Sequence, residues 1–141
     1  MNSRKRTKRI SMIIFGILLC SLLGGVLVVS ASPRIGAGKK GTYCSVVGSY
    51  AYSSSNSLTV CVRGQNCTSS TKYMSVSAQV YNAEGKLIGS KNNSGNIVAG
   101  GTISTDLSNM SSGGAIYGQT IIYRGTSVSA GTLEALRISL N

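Results

Sequence analysis

The stretch Met74-Ser75-Val76-Ser77-Ala78-Gln79-Val80 alternates apolar and polar residues without a break. Successive side chains of an extended strand point to opposite faces of a sheet. The four apolar residues of this stretch therefore share one face, and the serines and the glutamine share the other. The pattern predicts a β-strand with one buried face.

A turn follows this strand directly. Asn82 to Gly85 contains a glycine suited to the left-handed conformation of a short hairpin loop, and Lys86 to Gly89 runs back from it. We therefore expect a β-hairpin centred on this turn.

Short segments with strand-like patterns continue on both sides of the hairpin. In the last segment Leu133, Leu136 and Leu140 would also fit one face of a helix, but the two-residue alternation at its end favours a strand. About seven short strands predict an all-β fold, an antiparallel β-sandwich, with a small β-barrel as the alternative. Strands are expected at 43–52, 58–62, 74–80, 86–89, 102–105, 115–124 and 133–140, and exposed loops at 64–71, 91–101 and 108–114.

The N-terminal segment has the organisation of an export signal. Five Lys/Arg precede the apolar run Ile10 to Val29, and Val29-Ser30-Ala31 provides the small residues that signal peptidase accepts before Ser32. We expect residues 1–31 to form a signal helix that is cleaved, with an uncleaved membrane anchor as the alternative, because the apolar run is long enough to span a bilayer. Residues 32–41, with one proline and three glycines, are predicted to be a flexible leader, and residues 42–141 an extracellular β domain.

The chain is basic, with 14 Lys/Arg, 3 Asp/Glu and a net charge of +11. Five of the basic residues belong to the predicted signal, so residues 32–141 retain a net charge of +6. A net positive charge of this size draws a domain toward anionic polymers or lipid surfaces, and it also favours solubility. The charges are spread along the chain, so the sequence predicts no basic patch and leaves the extracellular or cell-envelope partner unknown.

Three cysteines, Cys44, Cys61 and Cys67, remain after the predicted signal. In an oxidising exterior a pair of cysteines usually closes a disulfide. Cys61 and Cys67 enclose a short, turn-rich loop and are the expected pair, with Cys44 as the alternative partner of either one. The third cysteine is expected to be buried or to pair with another chain.

The residues needed for most catalytic sites are missing. The chain has no histidine, which excludes Ser-His-Asp and Cys-His triads and two-histidine zinc motifs. Only Glu84, Asp106 and Glu134 are available as carboxylates, too few for a calcium site and a poor basis for a glycosidase pair. We therefore expect no catalytic, cofactor-binding or metal-binding residues and predict that the protein is not an enzyme.

The function that these observations favour is binding. We expect a small secreted or cell-surface β domain that acts through its loops or through an exposed face bearing tyrosines, with Tyr73 and Tyr81 as the candidate contacts. The alternative is a secreted cationic antibacterial or membrane-active effector, which the charge and the small size favour. In composition the chain resembles small proteins secreted by Gram-positive bacteria. The full set of candidate tyrosines is Tyr50, Tyr52, Tyr73, Tyr81, Tyr117 and Tyr123.

Overall fold

The structure is a computed structural model that describes residues 35–111 and 113–141. These residues form eight antiparallel strands and one short 3₁₀ turn, Val128–Ala130. The described part contains no helix long and apolar enough to cross a membrane. The strands are β1 (Ile35–Lys40), β2 (Cys44–Tyr52), β3 (Leu58–Asn66), β4 (Lys72–Tyr81), β5 (Leu87–Ile97), β6 (Thr102–Met110), β7 (Ile116–Tyr123) and β8 (Thr132–Ser139).

The strands form two four-stranded sheets. The first sheet has the order β1-β2-β3-β6, and the second has the order β5-β4-β7-β8. Hairpin neighbours pair within a sheet, whereas β3 pairs with the distant β6 and β4 with the distant β7. The arrangement is sandwich-like, because the inner faces of both sheets contribute to one apolar core.

The core is made by the alternating apolar residues of the central strands. Met74, Val76, Ala78 and Val80 of β4 are all fully buried, as the alternation predicts. They meet inward-facing residues of β2, β3, β7 and β8. The buried apolar residues of the core are Cys44, Val46, Tyr50, Leu58, Val60, Val62, Met74, Val76, Ala78, Val80, Ile103, Ile116, Ile122, Leu136, Ile138 and Leu140.

Side chains join the two sheets at both of their edges. At one edge the Asn93 amide of β5 donates a 2.9 Å hydrogen bond to the Ser104 carbonyl of β6, and Lys91 lies 3.8 Å from Asp106. At the other edge Glu134 of β8 accepts hydrogen bonds from the backbone of the turn between β1 and β2. These contacts fix the outer strands of one sheet against those of the other.

The all-β prediction is confirmed, and so is the hairpin between β4 and β5. Gly85 has a φ of 77°, the left-handed conformation that its place in the turn requires. The final segment is a strand, not a helix. The structure has eight strands where about seven were predicted, because the predicted leader contains an additional strand. The predicted loop 91–101 is largely strand, and the predicted loops 64–71 and 108–114 begin with the last residues of β3 and β6.

One of these corrections concerns the predicted leader. Residues 35–40 are not flexible but form β1, which pairs with β2 from Ile35 opposite Tyr50 to Lys40 opposite Ser45. Its glycines tolerate this position because β1 lies at a sheet edge, where backbone hydrogen bonds to β2 can hold a strand of low intrinsic propensity. The predicted signal segment 1–31 and the cleavage position before Ser32 lie outside the described residues.

The other correction concerns residues 91–97, which were predicted to be a loop. They belong to β5, an edge strand that pairs with β4 along its whole length. Most of its side chains are exposed, so it lacks the apolar alternation by which a strand is normally recognised.

The predicted Cys61–Cys67 bridge is not formed, and no disulfide joins either residue to Cys44. β3 is extended from Leu58 to Asn66. At about 3.3 Å per residue it holds Cys61 and Cys67 roughly 15 to 20 Å apart, whereas a disulfide requires Cα atoms within about 7 Å. Cys44 points into the core and lies opposite Asn66, not opposite either cysteine.

Candidate binding face

The outer face of the second sheet carries four of the seven tyrosines. Because Met74, Val76, Ala78 and Val80 point inward, the residues between them on β4 point outward. On β7 the same alternation applies: the inward residues are Ile116, Gly118, Thr120 and Ile122, and the residues between them point outward. We call this surface the tyrosine face; its outward side chains are Tyr73, Ser75, Ser77, Gln79 and Tyr81 of β4, Tyr117, Gln119, Ile121 and Tyr123 of β7, Ser90, Asn92, Ser94 and Asn96 of β5, and Ala135, Arg137 and Ser139 of β8.

The four tyrosines form two pairs at opposite ends of the face. Tyr73 and Tyr123 have ring centroids 5.6 Å apart, and Tyr81 and Tyr117 have centroids 5.7 Å apart, both in edge-to-face geometry. Such pairs contribute about 0.5 to 1.5 kcal/mol beyond their burial and hold the rings in fixed orientations. Tyr73 and Tyr81 are eight residues apart on one strand, so the two pairs are separated by about 26 Å.

A row of uncharged polar side chains fills the space between the tyrosine pairs. Asn92 donates to the Ser75 hydroxyl at 2.9 Å, which orders one end of this row. The Tyr73 hydroxyl donates to Ser94 at 3.0 Å. The row therefore presents amides and hydroxyls in fixed positions, and each keeps further donor or acceptor capacity.

Arg137 is the one charged residue among the outward side chains of the tyrosine face. Its guanidinium lies 4.0 Å from the centroid of the Tyr117 ring and donates a 3.3 Å hydrogen bond to Gln79. A cation over an aromatic face is stabilised by the ring quadrupole. Arg137 thus orders the second tyrosine pair.

Both tyrosines singled out from the sequence, Tyr73 and Tyr81, lie on this face. Two other candidates do not: Tyr50 is 9% exposed in the core, and Tyr52 packs against it at 5.9 Å on the same inner side of β2. The sequence analysis did not single out Arg137 or the amides of β4 and β5. The two-residue alternation of their strands predicts that these side chains point outward. The pairing of β4 with β7, however, is a long-range contact that no local pattern reveals.

A second cluster of polar groups surrounds Glu134. Its carboxylate accepts hydrogen bonds of 2.8 to 2.9 Å from the backbone N–H groups of Thr42, Tyr43 and Cys44. Gly41 leaves room for this carboxylate, since a Cβ at that position would collide with it. Burial alone would raise the pKa of Glu134, but the three N–H bonds and the Cys44 thiol outweigh burial, so the pKa lies below its ordinary value.

The same surroundings disfavour ionisation of the Cys44 thiol. Burial, followed by the hydrogen bond to Glu134 and its charge, raises the pKa of the Cys44 thiol to about 12. A thiol is nucleophilic only as the thiolate, so this cysteine is poorly suited to catalysis or metal binding. The Glu134 cluster is a structural connection between β8 and the turn before β2.

Within residues 35–111 and 113–141 no group of three or more Cys, Asp or Glu side chains is placed to hold a metal ion. In comparisons with known proteins, no family model and no curated protein sequence matches this chain.

Proposed function

We propose that the chain is an exported β-sandwich domain without enzymatic activity that binds an extracellular or cell-envelope partner through its tyrosine face. The observation that carries the proposal is the placement of two ordered tyrosine pairs on one exposed sheet face. Tyrosine provides a large, rigid contact surface with a polar tip, which is why it is enriched where proteins meet their ligands.

The chemistry of the face favours an extended, uncharged polysaccharide as the ligand. Aromatic rings pack against the C–H faces of sugar rings, and amides and hydroxyls between them match sugar hydroxyls. The aliphatic side chains between the tyrosine pairs are Ile121 and Ala135, which are too few for the apolar centre of a protein interface. The roughly 26 Å between the tyrosine pairs suits a polymer that lies along β4 and β7.

Replacing Tyr73 or Tyr81 by alanine should weaken binding to isolated cell-wall polysaccharide by about 1 to 2 kcal/mol each, because each removes an aromatic anchor. The measurement is a sedimentation assay with insoluble wall polysaccharide and a soluble fragment as competitor. Raising the salt concentration should change the affinity little, because the ligand and most of the face are uncharged.

Tyr43→Ala is the matched control, since Tyr43 is 42% exposed but lies in the turn before β2, away from the tyrosine face. Unfolding midpoints of all variants establish that a loss of binding is not a loss of fold. Equal losses for Tyr43→Ala and Tyr81→Ala, or full binding by the double variant of Tyr73 and Tyr81, would contradict the proposal.

The second candidate function is a secreted cationic effector. One observation favours it: among the cations of the described residues, only Lys91 lies within 4 Å of a carboxylate, so the other positive charges are not neutralised by ion pairs. For an effector, attachment to walls or anionic vesicles would weaken sharply with salt, whose Debye length is about 10 Å at 0.1 M. Growth inhibition would then be lost when Lys39, Lys40, Lys86 and Lys91 are replaced by glutamine, while the tyrosine variants remain active.

Export is also part of the proposal, with a membrane-anchored domain on the outside as the alternative. The cationic start and the apolar run of residues 1–31 support it. Mass spectrometry of culture medium from an expressing bacterium should detect a chain that starts at or near Ser32. Full-length protein found only in the membrane fraction would instead show that the segment remains as an anchor.

A further inference from the structure

Four loops meet at one end of the two sheets. They are residues 41–43, 67–71, 98–101 and 124–131, and we call this surface the four-loop end. Backbone hydrogen bonds connect them: Cys67 donates to Tyr43, Gly100 to Asn66, and Tyr73 to Gly125. The turns 53–57 and 82–86, and the start of β1, lie at the opposite end.

The four-loop end carries most of the strongly exposed large apolar side chains of the described residues. Only four large apolar residues of the described chain are strongly exposed, and three of them belong to this end: Tyr43 at 42%, Val98 at 64% and Val128 at 56%. Each lies in a different loop. The fourth, Leu87 at 45%, lies beside the turn at the opposite end.

Three cations lie at the same end of the sheets as these apolar residues. Lys40 ends β1 next to the first loop, Arg124 begins the last loop, and the Lys72 ammonium donates to the Arg124 carbonyl at 2.6 Å. The nearest acid is Glu134, whose carboxylate is engaged by three backbone N–H groups. The remaining acids lie elsewhere, Glu84 in the turn at the opposite end and Asp106 beside Lys91.

We infer that the four-loop end docks onto an anionic lipid bilayer. Cations attract the negatively charged headgroups, and exposed apolar side chains enter the boundary between headgroups and acyl chains. A nucleic acid would satisfy the charges but leave the valines in water. This surface adjoins the tyrosine face at Tyr73 and Tyr123 but lies at the end of the sheets, and docking requires neither polysaccharide binding nor antibacterial activity.

The chain contains no tryptophan, so a single introduced tryptophan reports on its own position. Val98→Trp and Val128→Trp place reporters in two loops of the four-loop end, and Leu87→Trp is the matched control at the other end. Each full-length variant is mixed with vesicles of phosphatidylcholine containing about one third phosphatidylglycerol, with and without brominated acyl chains. We expect a blue shift and bromine quenching for Val98→Trp and Val128→Trp and neither for Leu87→Trp.

Charge variants test the electrostatic part of the inference. In the Val98→Trp background, Lys40→Gln together with Arg124→Gln should raise the lipid concentration needed for half-maximal quenching by about twenty-five-fold, since each cation near an anionic surface contributes about fivefold. Lys86→Gln, an exposed cation in the opposite turn, should leave it unchanged.

The inference is overturned if neither loop reporter responds, if Leu87→Trp responds equally, or if pure phosphatidylcholine vesicles give the same quenching. Thermal unfolding of each variant shows whether the fold is intact, and two reporters in separate loops guard against a single misfolded variant. If the protein sediments with polysaccharide but does not bind the vesicles, this inference alone is refuted and the proposed function stands.

Discussion

Replacing Asn66 by alanine should lower the free energy of unfolding by about 4 kcal/mol, which is a large fraction of the 5 to 15 kcal/mol that is usual for a protein. Asn66 is fully buried. Its amide donates to the carbonyls of Ser70, Ile97 and Val98 at 2.9 to 3.3 Å. Its side-chain oxygen accepts from the backbone and the hydroxyl of Thr68 at 2.9 and 2.7 Å.

The expected effect is large because this one substitution removes the hydrogen-bond partner of backbone groups in two loops. Each buried carbonyl or N–H left without a partner costs about 1 to 3 kcal/mol. Urea denaturation followed by circular dichroism measures the loss. Asn93→Ala is the matched control: Asn93 is exposed and makes a single bond, to Ser104, so its loss should be below about 1 kcal/mol.

If Asn66→Ala lowers the free energy of unfolding no more than Asn93→Ala does, water or rearranged backbone must satisfy the former hydrogen-bond partners of Asn66. In that case Asn66 would not be what holds the β3–β4 and β5–β6 loops together.

Glu134→Gln should lower the free energy of unfolding by about 2 kcal/mol at neutral pH. An amide has only one oxygen to accept hydrogen bonds and no charge, and charge-assisted bonds contribute about 1.5 to 3 kcal/mol each. The turn before β2 would lose its attachment to β8. Glu84→Gln, in the exposed turn between β4 and β5, is the control and should change stability by less than about 0.5 kcal/mol.

The effect should depend on pH in a defined direction. The pKa of Glu134 in the folded protein lies below its ordinary value of 4.5, so the unfolded chain takes up a proton more readily. Stability from this carboxylate is therefore fully present above pH 4.5 and is lost as the pH falls through the lower folded pKa. Unfolding curves measured between neutral and acidic pH should show the difference between wild type and Glu134→Gln shrinking below pH 4.5; a difference that does not change with pH would contradict the assignment.

The sequence was sufficient to predict those strands that bury only one of their two faces. Met74 to Val80 alternates because β4 has one buried face, and the same logic found β2, β3 and β8. It failed for β1 and the second half of β5, since both are edge strands held by backbone pairing and not by apolar side chains. Local pattern cannot reveal a strand whose stabilisation comes from its neighbour.

The candidate site was predictable only in part for a related reason. The sequence identified Tyr73 and Tyr81, but their partners Tyr123 and Tyr117 come from a strand more than 30 residues away. The disulfide prediction failed because it counted the residues between Cys61 and Cys67 and did not allow for the extended strand that separates them. The role of Asn66 left no signal, because its three carbonyl partners meet only after the loops have closed.

The burial of Asn66 also bears on where the protein can be produced. Asn66-Cys67-Thr68 is an acceptor sequence for N-linked glycosylation, and in a eukaryotic secretory pathway the sugar is attached to the nitrogen that here donates to three carbonyls. A glycan added before folding would make those bonds sterically impossible. Glycans at Asn92 or Asn109 would project from exposed positions instead. A glycan on Asn66 is therefore incompatible with this fold, and production in a host that glycosylates this acceptor should yield misfolded protein.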